Sequence, residues 1–132
     1  LMIKGITKEL FNGTKDRPPL GQLVTVDSDG RININTAPKL VLRSLSDTVT
    51  PEMADEMDEY RRKEGNDLSD AQWYKQVPGM DAVSIPPDLI TVKGSYFKIV
   101  STGKMNDMNK TVTTVVQKAD NKSVRVVKWR QD

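Results

Sequence analysis

Carboxylates are the side chains here most able to do chemistry, and they are densest in the run Glu52 to Glu59. Asp55, Glu56, Asp58 and Glu59 read as the solvated face of a helix, with Arg61 and Arg62 close behind them. Their spacing sets no two of them against each other as general acid and base. A second oxygen-rich stretch, Val26-Asp27-Ser28-Asp29-Gly30, begins as a calcium loop does. An EF-hand then needs Asp or Asn at its fifth position and Glu at its twelfth, where this chain has Arg31 and Pro38, so a turn is the better reading. The chain contains no Cys and no His. Thiol nucleophiles, His-based triads, Cys/His zinc sites and haem ligation are thereby excluded together. No catalytic, cofactor-binding or metal-ligating set emerges, and the expectation is a non-enzymatic interaction domain.

Two glycine turns offer a different chemistry. Lys4-Gly5-Ile6 and Pro78-Gly79-Met80 are like the hairpin of helix–hairpin–helix modules, whose backbone N–H groups can face a phosphate. Thr7 and Asp81 stand where the second glycine of such a hairpin belongs, and Asp81 would repel the phosphate. Charge argues the same way. The net charge of +2 divides into +2 over residues 1–49, −6 over 50–88 and +6 over 89–132. The second turn therefore sits in the acidic third, whereas a nucleic-acid backbone needs basic groups. The turns read as packing elements, and no nucleic acid is expected as a partner. A DNA-binding helix–hairpin–helix module of a competence-type DNA receptor is the alternative, and a gel shift at low salt separates the two.

The elements that hold these residues follow from local signals. Thr7 caps a short helix ending near Gly13, and Pro18-Pro19 exclude regular structure after it. Leu23–Val26 and Arg31–Asn35 flank Asp27-Ser28-Asp29-Gly30 and predict a β-hairpin near 23–35. In "RININTAPKLVLRSL" a strand with two asparagines, Asn33 and Asn35, runs directly into a helix. Thr36 is expected to cap that helix, Pro38 to sit in its first turn, and Asn35 to tie the strand end to the helix start. Thr50-Pro51-Glu52 opens a helix running to about Gly65, with Met53, Met57 and Tyr60 on one face. Ser69 and Gln72 suggest a capping box for a third helix, which ends at Pro78-Gly79. Pro86 and Pro87 allow only a helical turn thereafter. From Thr91 three β-rich runs, "SYFKIVSTGKM", "KTVTTVVQK" and "SVRVVKWRQD", predict an antiparallel meander.

The fold class expected is therefore α+β: a helical lobe over 1–89, similar to helix–hairpin–helix folds and carrying the hairpin, then a three-stranded sheet over 90–132. Trp73, Tyr96, Phe97 and Trp129 read as core anchors, since aromatic residues do not recur along one strand face as a base-stacking platform requires. The strand lysines (Lys98, Lys104, Lys110, Lys118, Lys122, Lys128) read as edge protection, with docking onto an acidic partner as a lesser use. The opening "LMIKGITKELF" reads as mid-domain sequence, which predicts a piece of a longer protein.

The order "IKGITKELF", "LVTVDSDGRININTAPKLVLRSL", "PEMADEMDEYRRKEG", "QVPGM", "LITVKGSYFKIVSTG", "VVKWRQD" resembles type II secretion system protein K, the large minor pseudopilin. The pieces that carry the resemblance hold Asn33, Asn35, Thr36 and Pro38 in "ININTAP", Pro78 and Gly79 in "VPGM", Tyr96 and Phe97 in "SYFKI", and Trp129 in "KWR". The resemblance implies a pilin-type sheet with a large helical insertion. It also implies an N-terminal hydrophobic helix that anchors the parent protein in the inner membrane of a Gram-negative bacterium, and a globular part in the periplasm. The implied partners are minor pseudopilins I and J and the pseudopilus, with secretin or cargo as further contacts, in support of export of folded proteins. Some relatives are implied to bind calcium; no matching ligand set is found in this chain.

Overall fold

A computed structural model describes residues 3–132. The chain forms two compact units. One comprises the residues up to Val26 together with Gly30–Val92; the other comprises Asp27–Asp29 and Lys93–Asp132.

The first unit is helical around a two-strand clasp. Helix α1, Lys8–Asn12, is capped by the Thr7 hydroxyl, which accepts from Leu10 N at 3.1 Å, and it stops at Gly13, whose φ of 78° suits glycine. Strand β1, Ile32–Asn33, is followed by helices α2, Lys39–Arg43, and α3, Pro51–Arg62. Helix α3 has the expected start: the Thr50 hydroxyl accepts from Met53 N, and Pro51 occupies the first turn. A 3-10 segment, Ala71–Gln76, and strand β2, Ile90–Thr91, complete the unit. Strands β1 and β2 pair in parallel, Ile32 with Ile90 and Asn33 with Thr91. Ile34, Leu42, Met57, Tyr74, Val77 and Met80 are fully buried at the centre of the unit's core.

The expected β-hairpin near 23–35 is absent. Residues 23–26 form no strand, because the donors that would pair with them face elsewhere: Ile32 N donates to Leu89 O at 2.8 Å and Ile34 N to Thr91 O at 3.0 Å. A partner 58 positions away in β2 outcompetes the local turn, because pairing with it buries Ile34 and Ile90 in the core. The third helix is a 3-10 segment, and the cap is Asp70, whose carboxylate accepts from Gln72 N at 2.8 Å. Ser69 is not its cap; Ser69 N donates to Asp67 Oδ1.

The second unit is the predicted meander. Strands β3, Tyr96–Met105, β4, Met108–Lys118, and β5, Val124–Gln131, form one antiparallel sheet in sequence order. Asn106, with φ of 51°, makes the tight β3–β4 turn, and Lys122, with φ of 66°, lies in the β4–β5 turn. The β4–β5 register shifts between Val115 and Val116: Val115 pairs with Lys128 but Val116 pairs with Val126. Val127 is thus one extra residue, a β-bulge. The strand pattern changes at Ile90 in the sequence, whereas the units divide after Val92, because Ile90 and Thr91 pair with β1.

Candidate interaction surfaces

The two asparagines act as joints. Asn33 Oδ1 accepts from Asn35 N at 3.0 Å, and the Asn33 carbonyl accepts from both Thr36 N and Ala37 N, which turns the chain sharply after β1. The Asn35 amide reaches across the unit: Nδ2 donates to Leu68 O at 3.0 Å and Oδ1 accepts from Trp73 Nε1 at 2.7 Å. Trp73 stacks on Tyr60 with ring centroids 5.5 Å apart. One amide therefore fixes the strand end, the segment before the 3-10 turn, and an indole that pairs with α3. The helix itself begins later than expected. Pro38 is the N-cap of α2, with no side-chain cap bond, and the Thr36 hydroxyl is not the joint.

Beneath this turn lies a charged cluster that sequence reasoning placed on the surface. Asp58 is only 5% exposed. Arg61 Nε and Nη2 both donate to Asp58 Oδ1, and Arg62 Nε donates to Oδ2 at 2.9 Å. Arg61 Nη1 also donates to Ile34 O at 3.0 Å and Ala37 O at 2.8 Å. The guanidinium thus ties α3 to the strand–helix junction. Burial works to raise the Asp58 pKa, but hydrogen bonds and charge from Arg61 and Arg62 outweigh it and hold the carboxyl below its ordinary range. The signal was available: Ala54, Met57, Asp58 and Arg61 follow the i, i+3, i+4, i+7 spacing of one helix face, and Met57 marks that face as buried.

Pro78 and Gly79 form a turn that packs on α3. Gly79 has φ of 79°, and a Cβ there would lie 3.0 Å from Met53 Cε. Met80 is fully buried beside it in sequence. The turn's surroundings are thioether and core.

The sheet separates its chemistry by face. Cross-strand partners share a face, so Phe97, Val116 and Val126 lie in one row, and Ile99, Thr114 and Trp129 in the next. Val112, Val124, Met105 and Met108 extend the same face. On the opposite face lie Tyr96, Lys98, Lys104, Arg125, Lys128 and Arg130. The bulge produces this division. In unbroken alternation Lys128 and Arg130 would share a face with Val124 and Val126, and Trp129 would join Arg125. The extra residue at Val127 reverses the phase and gathers the cations of β5 on one side. Of the expected core anchors, only Trp73 is buried. Trp129 is 66% exposed, Ile99 51% and Phe97 46%, and Tyr96 is partly exposed on the cationic side. The three strands form a single layer, and no other helix or strand of this unit covers their apolar face.

The residues carrying the sequence pattern thus fall into two sets. Asn33, Asn35, Thr36, Pro38, Pro78 and Gly79 build the first unit, and Tyr96, Phe97 and Trp129 belong to the sheet. Among the described residues, no group of three or more Asp, Glu, Cys or His side chains could hold a metal ion. No helix among them is long and apolar enough to cross a membrane.

Residues 32–93 match the family model for Type II secretion system (T2SS), protein K. The match begins at β1 and ends two residues beyond β2, so it takes in both asparagine joints, the Asp58–Arg61 cluster and the Gly79 turn. No curated protein and no solved structure matches the chain.

Proposed function

Because residues 32–93 match the family model for type II secretion system protein K, we propose that the chain is a member of that family and serves as a minor pseudopilin. In this reading it is a non-enzymatic subunit at the pseudopilus tip that supports export of folded proteins across the outer membrane. The globular part works in the periplasm on a parent protein anchored in the inner membrane by a hydrophobic helix. The observation that carries the reading is the uncovered apolar face of the sheet, with Phe97, Ile99, Val126 and Trp129 about half or more exposed. Its dimensions suit a helical partner. Three strands span about 10 Å, the width of one α-helix with its side chains at roughly 10 Å. Ten residues of β3 extend about 33 Å, the length of a helix of about 22 residues. Burying that face on the hydrophobic helix of the assembly and on pseudopilins I and J would remove an exposure that a free-standing sheet carries at a cost. The acidic helical unit is then left for secretin or cargo.

The test is a pull-down with the soluble domains of pseudopilins I and J, beside a secretion assay in cells carrying the full-length protein. Ile99→Asp and Trp129→Asp, on exposed positions of the apolar face, are expected to abolish capture and reduce secretion. Retention of both by the double variant refutes the packing role of that face.

A further inference from the structure

The pseudopilin reading uses the apolar face of the sheet and gives its other face no task. That face carries Lys98, Lys104, Arg125, Lys128 and Arg130, all exposed. Lys98 and Lys128 flank Val115 in one cross-strand row, about 10 Å apart at the backbone. Part of the surface is already occupied. The segment Asp27–Asp29 belongs to the sheet's unit although the residues on both sides of it belong to the other, and Asp27 Oδ2 lies 2.5 Å from Lys128 Nζ. This is an acidic loop, Asp27-Ser28-Asp29, held by a cation a hundred positions further along the chain. Among the described residues Lys98, Lys104 and Arg125 form no ion pair; Arg125 donates only to Gln117.

We infer that the cationic face of the sheet docks an acidic, extended polypeptide segment, and that the Asp27–Asp29 loop covers the middle of its β5 row in cis. An extended chain fits because its alternate side chains repeat every ~7 Å, and Arg125, Lys128 and Arg130 are strung along a single strand at comparable intervals. A nucleic-acid strand would need aromatic stacking partners, and only Tyr96 lies on this face. An anionic membrane would be gripped best by cations with bulky apolar neighbours, and most of those, Phe97, Ile99, Val126 and Trp129 among them, are on the opposite face, with Val100 and Tyr96 on this one. The inference goes beyond the secretion reading and does not depend on it.

Fluorescence anisotropy with a fluorescein-labelled peptide of ten alternating Asp and Ser residues tests it, using the whole chain at low and at physiological salt. Binding is expected, weakening as salt rises. Lys98→Glu with Arg125→Glu is expected to reduce affinity at least tenfold, the sum of two reversed surface charges. Asp27→Asn, which frees Lys128, is expected to raise it about threefold. Absence of peptide binding overturns the proposal, as does binding that survives the double reversal. Unchanged affinity in Asp27→Asn overturns the covering role of the loop. Capture by phosphatidylglycerol vesicles or duplex DNA without peptide binding assigns the face to a different partner and overturns the proposal equally.

Discussion

Replacing Asp58 by Asn is the sharpest probe of what holds the first unit together. The Asp58 and Arg61 side chains are only 7% and 10% exposed, whereas Arg62 is 73% exposed. The Arg62 contact is therefore a surface ion pair worth at most about 1 kcal/mol. The Arg61 contact is different in kind. Removing the carboxylate leaves a buried guanidinium with two carbonyl partners and no counter-charge, a loss of about 3–5 kcal/mol. That is a large part of the 5–15 kcal/mol that holds an ordinary domain together. Arg61→Met should cost a similar amount, since it orphans Asp58 and strips donors from Ile34 O and Ala37 O. The double variant leaves no buried charge, so its cost should fall short of the sum of the two by about 2–3 kcal/mol. Urea unfolding followed by Trp73 fluorescence, in a Trp129→Phe background so that only the first unit reports, measures all four corners. A cost below about 0.5 kcal/mol for Asp58→Asn, or strict additivity in the cycle, would show that the cluster behaves like a solvated pair.

Three further outcomes are expected. Gly79→Ala places a side chain at φ of 79° and against Met53 Cε, and should lower the urea midpoint by the equivalent of about 1–2 kcal/mol. Asp58 has a folded-state pKa below its unfolded value, so its stabilisation is complete above the ordinary carboxylate range and disappears as pH falls through the folded value. Acid titration of Trp73 fluorescence should accordingly show a steeper loss in the native chain than in Asp58→Asn, and parallel curves would refute the assignment. Deleting Val127 removes the bulge residue and should leave β5 in regular alternation, with Trp129 still on the face opposite Arg125. The quenching of Trp129 by iodide, an anion, relative to neutral acrylamide should then stay as in the native chain, and a rise in that ratio would mean that the phase of β5 is set elsewhere.

The first unit was legible where a signal was local and opaque where two distant segments met. Thr7 and Thr50 were identified as caps because a cap needs only the next three residues. The reading of 23–35 as a hairpin failed on the same logic: a turn between two apolar runs is a local signal, but Ile32 found its partner at Ile90. Thr36 is expected at the joint because hydroxyls commonly cap helices, whereas the turn is made by Asn33, three residues earlier, and Asn35, expected to tie the strand end to the helix start, ties it to Leu68 and Trp73 instead. Asp58 was assigned to solvent because it sits among three other acids, although its helical phase with Met57 placed it inside.

The sheet raises the opposite difficulty, because its strands are legible in the sequence and the division of its faces is not. Alternation read straight through "VRVVKWRQ" mixes Trp129 with Arg125 and sets Lys128 beside Val126, which describes a sheet with no distinct sides. One additional residue in β5 reverses that phase, and no residue type announces it, since Val127 is as good a strand former as its neighbours. The consequence is larger than the local irregularity. With the bulge, the aliphatic and aromatic groups of β5 collect on one surface and its cations on the other, so a single thin layer can present two chemically distinct contacts. A sheet whose sole task was to complete a core would need only the first of these. The gathering of Arg125, Lys128 and Arg130 on the reverse side is therefore the feature that packing alone leaves unexplained, and Asp27, already seated on Lys128, indicates the chemistry that the surface accepts.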